Sequence, residues 1–378
     1  MFQRFLQFPL FVGLLCGVLF LVQPVTQAQA EENMPTLFPG EKAPALSIGS
    51  WIKGEPVTEF KKDHVYVVEF WATWCGPCIK NIPHLSELQK KYADKNLTII
   101  GVSIDSDGEK VVKEFVTEMD KKMEYTVALD KIEKDSGLTS EAWMSASMQN
   151  GIPTAYIVNQ AGQIAWIGYP AELEVALEPV LTGKWDVTVA KNTFLNAIRR
   201  EQQLKSIVKL LESAVTKKNI PQIIALTDQL VAVEPEFFGE DDYDVNLFKF
   251  EQVLKAGGIE EGYKIGDEVI AEAADDKNGM IALVLMANTV VELPEGKARD
   301  LDWALKCVTK ANEMTEGKDF RVLYTMSEVT RTRGDVAKAN EYLSSSIELC
   351  PVPTVKKKLE SIYEAYNQPK KEETPVEK

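Results

Sequence analysis

The stretch VVEFWATWCGPC, residues 67–78, holds the side chains of this chain best placed to do chemistry. Cys75 follows a strand-like run and opens an amphipathic one, which puts it at the mouth of a helix. Unpaired backbone N–H groups and the helix macrodipole favour a negative charge there, and the thiolate is the form of cysteine that attacks. An ordinary thiol ionises near pH 8.5, so lowering its pKa to about 7 makes roughly half of it reactive at neutral pH. Pro77 suits the first helical turn, where its missing N–H is no loss. Cys78 then stands one turn after Cys75, within reach of a disulfide. Glu69 is the one acid of the preceding run; a solvated strand position is the plain alternative, and its setting in VYVVEFW favours burial.

A Cys-x-x-Cys pair could also be half of a zinc site. Only His64, His84, Cys307 and Cys350 could complete one, and they form no second pair with ligand spacing. Haem attachment would want His after Cys78, where Ile79 stands. Thiol redox chemistry without a metal or cofactor is the reading that the pair supports. His84 reads as a surface or partly packed residue, His64 as the opening of a strand, and Cys307 and Cys350 as buried thiols, with a mutual disulfide as the alternative.

The elements that must position the pair are legible around it. HVYVVEFW (64–71), NLTIIGVSID (96–105) and TAYIVNQAGQIAWIGY (154–169) predict strands, the last a hairpin turning at NQAGQ. Between the first two, Ile79, Ile82, Leu85, Leu88 and Tyr92 recur at helical spacing. Strand, helix and strand predict a parallel pair with a crossover, and the hairpin adds antiparallel strands, so residues 38–186 form a mixed α/β domain.

Residues 190–367 change character to long amphipathic segments with an internal repeat. The clearest unit is LYTMSEVTRTRGDVAKANEYLSSSIELCP, two helical stretches hinged at Gly334–Asp335, with Ala339 in the second and Pro351 at its end. Ala304 and Ala311 take equivalent small positions upstream. The unit resembles a tetratricopeptide repeat, which implies an all-α array of helical hairpins able to bind a protein partner; a non-repetitive helical bundle is the alternative. Residues 368–378 read as a charged, disordered tail.

The whole chain sets the surroundings. It has 378 residues, a formal charge of −15 and five cysteines, too few for a small disulfide-stapled scaffold. The acidity argues against nucleic acid or anionic lipid as partner. Arg4, an apolar run from Phe8 to Val22, and Ala28 and Ala30 predict a signal peptide over residues 1–30, cleaved after Ala30, rather than a stable membrane anchor.

FWATWCGPC, Pro83 and GIPT (151–154) together resemble the thioredoxin superfamily. With the leader and GEKAPALSIGSW, the likeness is to the secreted TlpA-like and ResA-like thiol-disulfide oxidoreductases, over about residues 38–185. The resemblance implies that Cys75 attacks a substrate disulfide and that Cys78 resolves the mixed disulfide. It implies that Pro153 is a cis-proline facing the pair, and that Ile152 and Thr154 offer backbone groups to a bound peptide. Trp71, Trp74, Gly76 and Pro77 would shape the surface around the site. Glu69 would be the buried carboxylate that takes and returns the proton of Cys78. It further implies protein disulfides as substrates, a thiol-disulfide electron donor, a periplasmic location and, from Gly-Pro between the cysteines, a reducing direction. Other readings are a disulfide-forming oxidant or isomerase, and a helical scaffold with an accessory redox domain. Peroxiredoxins lack Gly-Pro-Cys after their reactive cysteine. The long segment 106–150 stays unassigned.

Overall fold

A computed structural model of the chain describes residues 34–234, 242–273, 275–296 and 299–367. The expected leader and charged tail lie outside the described residues. The chain divides into two compact units between Gln203 and Leu204.

The first unit is built on a six-stranded mixed sheet. Its strands are β1 (Ile48–Lys53), β2 (Val65–Trp71), β3 (Leu97–Ser103), β4 (Thr126–Asp130), β7 (Thr154–Val158) and β8 (Ile164–Gly168), with a two-residue hairpin of β5 (Ile132–Glu133) and β6 (Ser136–Gly137) beside them. The strand order is β1-β4-β3-β2-β7-β8. β2, β3 and β4 run parallel, while β1, β7 and β8 run antiparallel to their neighbours. Every residue of β2 is buried, as a strand covered on both faces requires. The expected strands at 64–71, 96–105 and 154–169 are all present, and the hairpin turns where NQAGQ placed it. β1 and β4 come from segments left unassigned by pattern; they pair across the chain, Lys53 opposite Val127.

Alternation along β2 sends Val65, Val67 and Trp71 to one face and Tyr66, Val68 and Phe70 to the other. On the first face pack helix α1 (Gly76–Lys91) through Ile82, Leu85 and Leu88, α2 (Glu109–Met119) through Val112 and Val116, and α3 (Leu173–Leu181) through Leu173 and Leu177. The opposite face is covered by Leu37, Trp143 and Met144, the last two from a turn of π-helix at Glu141–Ser145, and by Phe194. Phe194 lies on the long helix α4 (Val187–Thr216), so the first turns of that helix belong to the sheet unit and the division falls within it.

The second unit contains eight further helices among the described residues: α5 (Ile220–Val233), α6 (Asp242–Lys255), α7 (Ile259–Glu272), α8 (Lys277–Glu292), α9 (Leu301–Met314), α10 (Phe320–Thr332), α11 (Val336–Leu349) and α12 (Pro353–Asn367). α10 and α11 meet at the predicted hinge, where Gly334 holds φ +97°, a conformation that side chains rarely adopt. Ala304, Ala311 and Ala339 are fully buried, as close helix packing demands. Asp300, Asp319 and Asp335 cap α9, α10 and α11 with their side chains. Cys307 and Cys350 are both buried free thiols and are not bonded to each other.

Candidate functional site

β2 ends at Trp71, and the chain turns through Ala72, Thr73 and Trp74 into α1. That turn is held by Asp105, a buried carboxylate just beyond β3. Its oxygens accept from the backbone N–H of Thr73 at 2.9 Å, the Thr73 hydroxyl at 3.0 Å and the Ser103 hydroxyl at 2.8 Å. Sequence pattern had no signal for Asp105, because its partner is 32 residues away.

Cys75 is the N-cap of α1, and the backbone N–H of Cys78 donates to its Sγ at 3.2 Å. Pro77 occupies the first turn, which carries no acidic side chain, while Lys90 and Lys91 stand in the last. The positive end of the helix dipole therefore faces Cys75 without a competing carboxylate. Cys75 and Cys78 form a disulfide, their Cα atoms 5.2 Å apart. Cys75 is 5 % exposed and Cys78 fully buried, so the outer sulfur is the one that a second molecule can reach. Gly76 and Pro77 are exposed beside it, and Trp74 projects at 66 % exposure.

Trp71 takes a different place from the one expected. It is fully buried on the inner face of the sheet, because β2 alternation points it under the helices, so Trp74 alone of the two shapes the outer surface.

The Ile152–Pro153 peptide bond is cis, and the Ile152 carbonyl oxygen lies 3.8 Å from Cys75 Sγ. Thr154 turns its hydroxyl back to the Gly151 carbonyl at 2.7 Å, tightening the bend before β7. Two segments about 75 residues apart in sequence thus share one surface.

Glu69 is fully buried on β2, with Gly101 of β3 and Ala155 of β7 as its ladder neighbours. Two of the smallest residues leave room for the carboxyl. Alternation places it on the face occupied by Cys75, Cys78 and Trp71. Neither carboxyl oxygen has a protein partner, and burial pushes its pKa up to about 8. The hydroxyl of Tyr125 and Nε1 of Trp71, on the same face, are also buried without partners. Tyr125 escaped sequence reasoning because it lies in the segment whose strand was not assigned.

The other histidines and thiols stay outside this arrangement. His84 is half-buried on α1, and His64 pairs its Nε2 with the Thr98 hydroxyl at 2.9 Å. Among the described residues no group of three or more His, Cys, Asp or Glu side chains could hold a metal ion. No helix among them is long and apolar enough to cross a membrane.

Residues 39–181 match the Redoxin family. The FixW protein of Rhizobium leguminosarum is 29 % identical over 152 residues, covering 39 % of this chain and 67 % of the relative. A thiol-disulfide oxidoreductase ResA of Bacillus cereus is 35 % identical over 97 residues, 26 % of this chain and 50 % of the relative. A ResA of Bacillus thuringiensis subsp. konkukian is 30 % identical over 156 residues, 40 % of this chain and 79 % of the relative. The likeness thus spans half to about four-fifths of these relatives' lengths and a minor share of this chain. A disulfide-bonded Cys-Gly-Pro-Cys motif on a thioredoxin-like sheet, together with these relatives, makes the chain a member of the ResA-like thiol-disulfide oxidoreductases of the thioredoxin superfamily.

Proposed function

We propose that the chain reduces protein disulfides, with Cys75 as the attacking thiol and Cys78 as the resolving one. The observation that carries this reading is the Cys75–Cys78 disulfide at an uncompensated helix N-terminus, facing the cis-Pro153 bend and sharing a sheet face with the buried acid Glu69. In the reduced protein the Cys75 thiolate attacks one sulfur of a substrate disulfide. A mixed disulfide forms, and the other substrate sulfur leaves as a thiolate. The Glu69 carboxylate, the minor form near neutral pH but one whose proton affinity is close to that of a thiol, takes the proton of Cys78. Cys78 then attacks Cys75 Sγ, so the second substrate sulfur departs and the Cys75–Cys78 disulfide closes. The substrate has gained two electrons, and a thiol donor returns the pair to the dithiol.

A substrate polypeptide lies along Ile152–Thr154, where the Ile152 carbonyl beside Cys75 can accept a backbone hydrogen bond. Trp74, Gly76 and Pro77 form the opposite wall of that surface. The leader, with Arg4 and the Ala28 and Ala30 pair, supports export to the periplasm. The helical unit, with its small buried alanines and Gly334 hinge, serves as a tetratricopeptide-like platform for a protein partner.

The test is a trap. In Cys78→Ala, Cys75 should accumulate mixed disulfides with its substrates in the producing cell, recoverable by non-reducing electrophoresis and released by dithiothreitol. Absence of any adduct, together with ordinary alkylation kinetics at Cys75, would sink the mechanism. Equilibration in glutathione buffers decides direction: a couple strongly oxidising relative to glutathione overturns the reductase reading.

A further inference from the structure

Both carboxyl oxygens of Glu69, Nε1 of Trp71 and the hydroxyl of Tyr125 are buried without a protein partner on the face that carries Cys75 and Cys78. Orphaned polar atoms are rare in protein interiors, and a cluster of them is the usual setting of a buried water with about three hydrogen bonds.

Gly101 explains how they come together. It stands beside Glu69 in the ladder, and a Cβ there would lie 2.9 Å from Cε2 of Tyr125 and 3.1 Å from Nε1 of Trp71. The bare Cα is what lets the phenol ring and the indole close over the strand next to the carboxyl. The Tyr125 hydroxyl is pushed well above its ordinary pKa, first by burial and then by the charge of Glu69, which sets the two groups within electrostatic range.

We propose that Tyr125 and Trp71 are positioning residues that set the proton affinity of Glu69, their O–H and Nε1–H converging with its carboxyl on one buried water beside Gly101. Both are donors, and the indole can act in no other way. They favour the carboxylate over the acid, so removing either donor raises the pKa of Glu69. Only a proton moves in this step, from Cys78 to Glu69 and back, and no electron is exchanged. The inference deepens the proton role proposed for Glu69.

Other titratable groups around this face do not supply the effect. α1 brings the cysteine pair, His84, which interacts with Glu174 of α3, and Tyr92, which interacts with Lys91. α2 contributes Val112 and Val116 to the core, while its Glu109 and Lys113 pair with each other. α3 contributes Leu173, Ala176, Leu177 and Val180.

The experiment is an infrared titration of the oxidised full chain, in which Cys75 and Cys78 are held in their disulfide and cannot ionise. The Glu69 band is identified as the protonated-carboxyl absorption lost in Glu69→Gln. In Tyr125→Phe the midpoint should rise by about 0.5–1 pH unit, a 3- to 10-fold gain in proton affinity. Gly101→Ala, which displaces the Tyr125 ring, should move it the same way and carries the test if Tyr125→Phe fails to fold. A midpoint within about 0.2 unit of the parent in the folded variant, or a fall, overturns the proposal. Because the titration is read without turnover, a Glu69 that responds to Tyr125 yet is dispensable for exchange would overturn its proton role and leave this coupling standing.

Discussion

The two units bury cysteines to opposite ends. In the sheet unit, Cys75 and Cys78 lie at the start of a helix, where the backbone N–H of Cys78 points at Cys75 Sγ and the edge of Cys75 reaches the surface. In the helical unit, Cys307 sits in the middle of α9 within an apolar core, and burial pushes its thiol far above the ordinary range. In the proposed function the same side chain acts as a nucleophile in the first setting, while in the second it packs as a small hydrophobe. Buried polar groups of two kinds occur, and both units contain some of each. Thr227, Ser327 and Ser346 in the helical unit hydrogen-bond backbone carbonyls at 2.7–2.9 Å, whereas Glu69, Trp71 and Tyr125 keep their polar atoms unpartnered. Hydrogen bonds of the first kind secure helix packing. Of the second kind, Glu69, Trp71 and Tyr125 gather on the face that carries the disulfide.

The contrast is broken most strongly at Glu69. In the folded protein it keeps its proton up to about pH 8, against an ordinary value of 4.5. The folded state therefore binds the extra proton between those values. Its stabilising effect is complete below the lower one and is lost as pH rises through the upper one. Parent protein should lose roughly 3–5 kcal/mol relative to Glu69→Gln between about pH 5 and about pH 9, read by urea denaturation of the sheet unit. Parallel curves for the two proteins would mean that the acid is not held protonated.

Alkylation of the reduced chain gives the next largest effect. At neutral pH Cys75 should react on the order of 100-fold faster than Cys307 or Cys350, followed by mass spectrometry of iodoacetamide-treated peptides. Comparable rates at Cys75 and Cys307 would remove the distinction between a helix-end thiol and a core thiol.

The smallest effect tests whether the helical packing serves only the second unit. Ala339 is fully buried, and its carbonyl accepts from the Ser327 hydroxyl at 2.8 Å. Ala339→Leu should destabilise the helical unit by about 1–3 kcal/mol through overpacking. Calorimetry should show that loss, while exchange with a small disulfide keeps the parent rate. A matching loss of exchange would tie the chemistry to the helices.

Pattern found the central strands, α1 and the Gly334 hinge because each is a local signal: a run of β-branched and aromatic residues, a helical spacing, a glycine at a forced turn. It missed β1, whose residues are mostly half-buried and which shows no clean alternation, and β4, a short buried run in a segment without flanking turn signals. Their pairing joins positions far apart in the chain. With β4 unassigned, Tyr125 had no face to belong to. Trp71 looked like a surface neighbour of the cysteines because it is near them in sequence, and the pleat turned it inward.

Cys75, Gly76, Pro77 and Cys78 carry their chemistry within one helical turn, where spacing alone decides what can touch, so the redox reading follows from residue order. The same holds for the capping of α9, α10 and α11 by aspartates. Which residues meet that pair from elsewhere depends on register and crossover. The bend at Pro153 arrives beside Cys75, Gly101 and Ala155 flank Glu69, and Asp105 grips Thr73 only because strands distant in sequence are adjacent in the sheet. Burial of Glu69, and hence its raised proton affinity, is a property of that assembled interior, since desolvation comes from all the elements that close over it.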